Sequence, residues 1–174
     1  MKNINIREYL ILSFVFCIIT LTTFPLFINA GYPPEWVFAS SDDVTVGETV
    51  SGDYTDTYYK DSSYHEIQCY RHGTYGYWEA IVFYGFAGKC SKVKIWVTVD
   101  PLIYGNCFNA RAYYTDDTSE SLGNFNPQSY YEFDLNSGKY LESIRIQYYL
   151  ALNINPVERY IFIDYISCYW TGNP

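Results

Sequence analysis

The sequence predicts an all-β fold, a single antiparallel β-sandwich of about eight strands, and three observations carry that expectation. Twenty-one tyrosines, eleven phenylalanines and four tryptophans favour strands, while Ala, Leu, Lys and Glu are too sparse beyond the first thirty residues to sustain several helices. Lys92 to Asp100 alternates, with Val93, Ile95, Val97 and Val99 pointing one way and Lys94, Trp96 and Thr98 the other, the period of a half-buried strand. Arg159 to Trp170 is apolar or aromatic at both parities, the pattern of a strand covered on both faces.

Taken in order, residues 1–30 read as a signal peptide. Lys2 and Arg7 give a basic start, Tyr9 to Phe27 is nearly all apolar, and Ala30 offers a small residue at a cleavage point before Gly31. The apolar run approaches the length of a short membrane span, so an uncleaved anchor is the alternative and the only expected contact with a membrane. The residues before Cys17 lack the small side chains of a lipoprotein signal. The chain is therefore expected to be secreted or, if anchored, to face outside.

Residues 31–43, with Pro33-Pro34 and Asp42-Asp43, read as an extended lead-in that Trp36 pins to the body, and residues 44–174 as the sandwich domain. Its strands are expected at Val44 to Val50, Tyr64 to Tyr70, Trp78 to Tyr84, Lys92 to Asp100, Phe108 to Thr115, Tyr130 to Leu135, Leu141 to Tyr149 and Arg159 to Trp170. Polar or glycine-bearing stretches separate them at the spacing of a sandwich. No internal repeat or linker divides the domain.

Cleavage after Ala30 leaves 144 residues, enough for one domain. It also removes Lys2, Arg7 and Glu8, a net +1, which takes the charge of −8 to −9. That acidity argues against nucleic acid and against anionic membrane surfaces as partners. Cys69, Cys90, Cys107 and Cys168 remain, an even number in an exported domain, which predicts two disulfides with three connectivities open. The wide spacings do not suit a structural zinc site. Pairing of Cys90 with Cys107 is the least favoured, because these residues begin opposite ends of an expected antiparallel pair.

Two places carry candidate chemistry. If Tyr64 to Tyr70 and Trp78 to Tyr84 pair symmetrically about Thr74, Tyr70 lies across from Trp78, and Tyr64, Glu66, Gln68, Tyr70, Trp78 and Tyr84 share one face. Flat rings beside amide and carboxylate groups suit a sugar, whose apolar ring face stacks and whose hydroxyls accept and donate. Trp96 and its side of the strand form a second such surface. The other place is Asp164, a carboxylate inside the most apolar strand, where burial demands a partner or a cation.

The strand ending Val97-Thr98-Val99-Asp100, a later and more polar strand, and the closing Tyr160-Ile161-Phe162-Ile163-Asp164-Tyr165-Ile166 together resemble jelly-roll, galactose-binding-like modules of exported proteins, many of which bind carbohydrate. The resemblance implies a jelly-roll topology and a structural calcium ion held by Asp164 with Asp42 or Asp43. The early-strand ligand pair of such modules is not recognisable in this chain. Asp116, Asp117 and Glu120 lack the spacing and glycine of an EF-hand and read as a solvated acidic turn.

Catalysis is not expected. Only His65 and His72 offer imidazoles, no serine sits in a nucleophile elbow, and His65 falls on an apolar face as a hydrogen-bonded core residue. Glu66, Glu79 and Glu132 could flank a sugar only if two of them converged, and Glu66 and Glu79 are expected on opposite faces. The sequence thus points to an exported binding module for a glycan or another cell-surface component. The alternative is a structural or adhesive surface protein that binds other proteins or itself through tyrosine-rich faces.

Overall fold

A computed structural model describes residues 35–58, 63–73, 76–100, 107–151 and 158–172. The segment read as a signal or anchor lies outside these residues. Eleven strands build the described part: β1 (Glu35–Phe38), β2 (Ser41–Val46), β3 (Glu48–Ser51), β4 (His65–Gln68), β5 (Tyr70–His72), β6 (Tyr77–Asp100), β7 (Phe108–Tyr114), β8 (Ser119–Phe125), β9 (Tyr130–Asp134), β10 (Tyr140–Ala151) and β11 (Tyr160–Gly172). One 3-10 turn, Tyr54–Thr57, interrupts them. Among the described residues no helix is long and apolar enough to cross a membrane.

The all-β antiparallel expectation holds, and the strand count exceeds eight. The expected strand Val44 to Val50 is divided between β2 and β3, and the segment read as a lead-in supplies β1, which pairs with β11, and the first half of β2, which pairs with β6. Trp36 does fasten it, packing edge-on against Tyr169 at 5.4 Å. Conversely, the stretches read as separate strands at Trp78 and at Lys92 are one strand, β6, of 24 residues.

β6 organises two layers. Its first part pairs with β10 on one edge and with β5 and β2 on the other; its last part pairs with β9 and β11 on those same edges. The first layer continues through β10 to β7 and β8, and the second through β11 to β4 and β3. All strands join one hydrogen-bonded sheet, and the buried side chains of both layers form one core, so the sheet folds over its own apolar face.

Keeping that face inward through 24 residues needs a shift in parity. Trp78, Ala80, Val82, Tyr84, Phe86 and Cys90 are buried in the first part of β6, and Val93, Ile95, Val97 and Val99 in the last. The change falls at Ser91, where the pairing with β11 slips: Cys90 lies across from Trp170, and Lys92 across from Tyr169. This β-bulge inserts one residue and keeps both parts facing the same core.

His65 is fully buried, as expected of a core histidine. Its Nδ1 lies 2.9 Å from the Tyr84 hydroxyl, its Nε2 lies 3.1 Å from Thr49 Oγ1, and Asp42 Oδ2 is 3.9 Å away. Burial holds its pKa below the usual imidazole value against the opposing charges of Asp42, Asp53 and Asp56. All four cysteines are buried free thiols, not the two disulfides expected from their even number. That expectation rested on compartment chemistry, whereas packing alone accommodates each thiol as a small apolar group.

Two outcomes follow. Gly88 has a φ of 126°, and a Cβ there would stand 2.4 Å from Trp170 Nε1, so Gly88→Ala should destabilise the domain by about 2 kcal/mol or more; denaturant unfolding measures this. For His65 the folded pKa lies below the unfolded one, so the unfolded chain takes the proton first. Stability is complete above the unfolded value of about 6.5 and is lost as pH falls below it. The thermal midpoint should be flat above neutrality and fall from about pH 6.5 downward, and His65→Asn, although less stable, should lose that slope.

Candidate functional site

The expected pairing of Tyr64–Tyr70 with Trp78–Tyr84 does not form as a whole. β4 leaves it to lie between β3 and β11, with His65 across from Ile163 and Ile67 across from Ile161. The chain is tied there by the Cys69 amide donating to the Arg159 carbonyl at 2.8 Å. Only β5 pairs with β6, and one residue out of the expected register: Tyr70 faces Glu79, and Arg71 faces Trp78. Because strand faces alternate, that single step separates the two rings. Trp78 is 4% exposed in the core, whereas Tyr70 is 58% exposed, so these two do not make one platform.

Tyr64, Glu66, Gln68 and Trp96 do share a surface, the outward face of the second layer. Side chains of β11 fill the space between them: Phe162 lies across from both Glu66 and Thr98, Tyr165 lies across from Trp96, and the Tyr64 ring meets Phe162 edge-on at 4.9 Å. From Trp96 a row of rings crosses the layer. Trp96 and Tyr130 are 4.8 Å apart, Tyr130 and Tyr165 5.8 Å, Tyr165 and Phe38 6.1 Å, and Phe38 and Tyr58 4.7 Å. The row thus draws on β6, β9, β11, β1 and the turn after β3. Tyr130 keeps 48% of its surface exposed and Tyr64 39%.

Charged groups border the row. Lys94 Nζ sits 4.8 Å above the Trp36 ring and 3.8 Å from Glu132, and Lys92 donates to Glu132 at 2.6 Å. The bond from Lys92 holds the Glu132 carboxyl below the usual carboxylate range and raises the Lys92 ammonium. Partial burial, then the neighbouring Tyr165 and Asp164, push the Tyr130 phenol up. It stays a neutral hydroxyl, able both to donate and to accept.

Asp164 is 9% exposed and occupies a bulge of β11, the residue skipped between the pairs Ile163–Val97 and Tyr165–Trp96. The aspartates expected to bind calcium with it both lie on β2. Asp42 accepts the Tyr54 amide at 3.0 Å and faces His65, and Asp43, next to it on β2, is exposed. Among the described residues no three His, Cys, Asp or Glu side chains gather closely enough to hold a metal ion. Asp116 is ion-paired with Lys139 at 2.8 Å.

Tyr70 belongs to a separate ring cluster on the outward face of the first layer. It meets His72 edge-on at 4.8 Å, His72 stacks on Tyr77 at 4.3 Å, and Tyr77 meets Tyr149 at 4.8 Å. Glu79 beside them accepts Gln147 Nε2 at 2.7 Å and lies 3.2 Å from His72. Glu66 and Glu79 therefore lie on the outward faces of different layers. Sequence reasoning missed Phe38, Tyr58, Tyr130, Phe162 and Tyr165. The available signal was the two-sided apolar pattern of Arg159 to Trp170, half of which points outward.

No protein-family model matches the chain, and neither does any curated protein sequence. Solved structures do match in fold. Chitosan-binding module 1 of a chitosanase/glucanase from Paenibacillus sp. IK-5 superposes with a TM-score of 0.50 at 5% identity, covering 76% of this chain and 96% of that one. The fold is shared with carbohydrate-binding modules. A mutant lectin-binding domain of Lectinolysin in complex with Lewis b has a TM-score of 0.47 at 11% identity, covering 80% and 100% of the two chains. CBM32-3 from a family 31 glycoside hydrolase of Clostridium perfringens has 0.47 at 8%, covering 78% and 95%. The jelly-roll, galactose-binding-like resemblance is met at the level of fold.

The two placements of Tyr70 and Trp78 are separable by mutation. Trp78→Ala should cost about 3–5 kcal/mol of stability, as truncation of a buried aromatic does, and Tyr70→Ala less than about 0.5 kcal/mol. Equilibrium denaturation of both variants checks this, and equal losses would contradict the register.

Proposed function

We propose that this chain is an exported, non-catalytic binding domain that takes a carbohydrate on the outward ring face of its second layer. The observation that carries the reading is the continuous row Trp96, Tyr130, Tyr165 and Phe38, with neighbours at 4.8, 5.8 and 6.1 Å. Rings in such a row offer apolar area to the C–H faces of sugars. Glu66, Gln68, Glu132 and the tyrosine hydroxyls flank it with groups that bond sugar hydroxyls.

Two further points support the reading. The fold likeness to the chitosan-binding module is consistent with a glycan ligand, and the basic-then-apolar start of the chain supports export. The net charge of −8 disfavours polyanionic glycans and leaves neutral or amino-bearing ones. Of the carboxylates that could flank a scissile bond, Glu79 lies on the other outward face and Glu132 is ion-paired with Lys92 and Lys94, which supports a non-catalytic role.

The test is a glycan array followed by titration against neutral polysaccharides and chitosan. Trp96→Ala and Tyr130→Ala should each weaken binding roughly 10-fold, the loss of about 1.4 kcal/mol of ring contact, with the thermal midpoint of the Tyr130 variant unchanged. Absence of binding across the array, or affinity indifferent to both changes, would overturn the reading. Self-association at micromolar concentration that Tyr130→Ser abolishes would instead establish an adhesive surface.

A further inference from the structure

Two arginines meet on the outward face of the first layer, the layer that does not carry the ring row. Arg111 on β7 stands directly across from Arg145 on β10. Their chain neighbours Ala110, Ala112, Ile144 and Ile146 are buried, so both guanidinium groups are directed outward. Like charges set opposite each other on adjacent strands destabilise a sheet. The chain has 19 acidic residues against 11 basic ones, so a carboxylate partner for each arginine would be the ordinary arrangement. Lys92, Lys94 and Lys139 follow it, paired with Glu132 or Asp116.

Neither guanidinium has an ion pair among the described residues. Arg111 Nη1 donates to Ser119 Oγ at 3.0 Å. Arg145 Nη2 reaches Asn109 Oδ1 at 3.4 Å, long for such a bond, and its Nε is buried with no hydrogen-bond partner among the described residues. Asn109 is fixed in that orientation, because its Nδ2 donates to the Gly123 carbonyl at 3.2 Å and to Asn124 Oδ1 at 3.0 Å. Nearby carboxylates are occupied or set apart. Glu79 accepts from Gln147 and lies against His72, Asp43 stands beyond Phe83, one strand further from Arg145, and Glu142 sits in the bulge between Leu141 and Ser143.

We propose that Arg111 and Arg145 form a second binding site, for a sugar that carries one carboxylate or sulfate group. A guanidinium fork grips an oxyanion through paired N–H bonds, and an oxyanion held between the two cations also removes their repulsion. Phe83 lies across from Arg145 on its other side, with its ring 5.6 Å from that of Tyr113. An apolar surface therefore adjoins the cations and suits the C–H face of a sugar ring. On the far side Ser121, across from Arg111, offers a hydroxyl to the sugar. At contact distance the pair outweighs the net charge of −8, whose field salt screens beyond about 10 Å. A polyanion would run past the pair onto the acidic surface, so the site suits a single charge.

The test is calorimetric titration of the full chain in low-salt buffer with glucose, glucuronate, glucose 6-sulfate and inorganic sulfate. Glucuronate or glucose 6-sulfate should bind roughly 10-fold or more tightly than glucose, as hydrogen bonds between charged groups allow, and the tighter of the two identifies the anionic group. Arg145→Gln and Arg111→Gln should each remove that preference, with the thermal midpoint of the ligand-free protein unchanged or raised because the repulsion is relieved. Trp96→Ala, in the other layer, should leave the preference intact, so the result is independent of the neutral-glycan reading. Equal affinity for glucose and both anionic sugars, inorganic sulfate binding as tightly as the sugars, or a preference that survives Arg145→Gln would overturn the proposal.

Discussion

The structure rests on one strand belonging to two layers. β6 runs 24 residues and must present apolar side chains to the same core throughout, although the layers on either side of its midpoint have different neighbours. A strand of strict period two does this only while nothing interrupts the pairing. The added residue at Ser91 is what lets Tyr84 and Ile95, of opposite parity, face a common interior. Were Ser91 paired in regular alternation instead of bulged out, Lys92 and Lys94 would turn inward and Val93 and Ile95 would meet water, a reversal that desolvated ammonium groups forbid. Gly88, close by, accepts a backbone that other residues resist and lets the Trp170 ring lie against it.

This arrangement explains which elements were legible. Lys92 to Asp100 and Arg159 to Trp170 were readable because their alternation or two-sided apolarity is local and strong. The junction Gly85-Phe86-Ala87-Gly88-Lys89-Cys90-Ser91 looks like a turn because its glycines are turn residues, yet here they serve a bent, continuous strand. β2 was hidden because Asp42 and Asp43 depress strand propensity; Asp42 is retained by its bond to Tyr54 and its place beside His65. The pairing around Thr74 was the local choice, and β4 was taken instead by β3 and β11, which lie far away in sequence.

The site shows the same division. The outward positions of Tyr64, Glu66, Gln68 and Trp96 follow from parity within single strands, so sequence placed them well. Their neighbours come from β1, β9 and β11 and could be assembled only by the topology. Trp78 failed for the complementary reason, since its face depended on a register that the turn residues did not specify. A resemblance between strand motifs likewise does not dictate what an early strand offers a late one. The burial of Asp164 was legible from the apolar strand around it, but the bulge that holds it was not.

The ring row also bears on motion. Trp96, Tyr165 and Phe38 are each only partly exposed and are hemmed in by other rings, and the strands beneath them are joined to both layers through β6 and β11. Side chains held this way have already given up most of their rotameric freedom during folding, so little remains to be lost when something settles on them. The surface is therefore a preformed relief rather than a set of independent arms, and the proposed binding would select by contour, rejecting shapes that do not match.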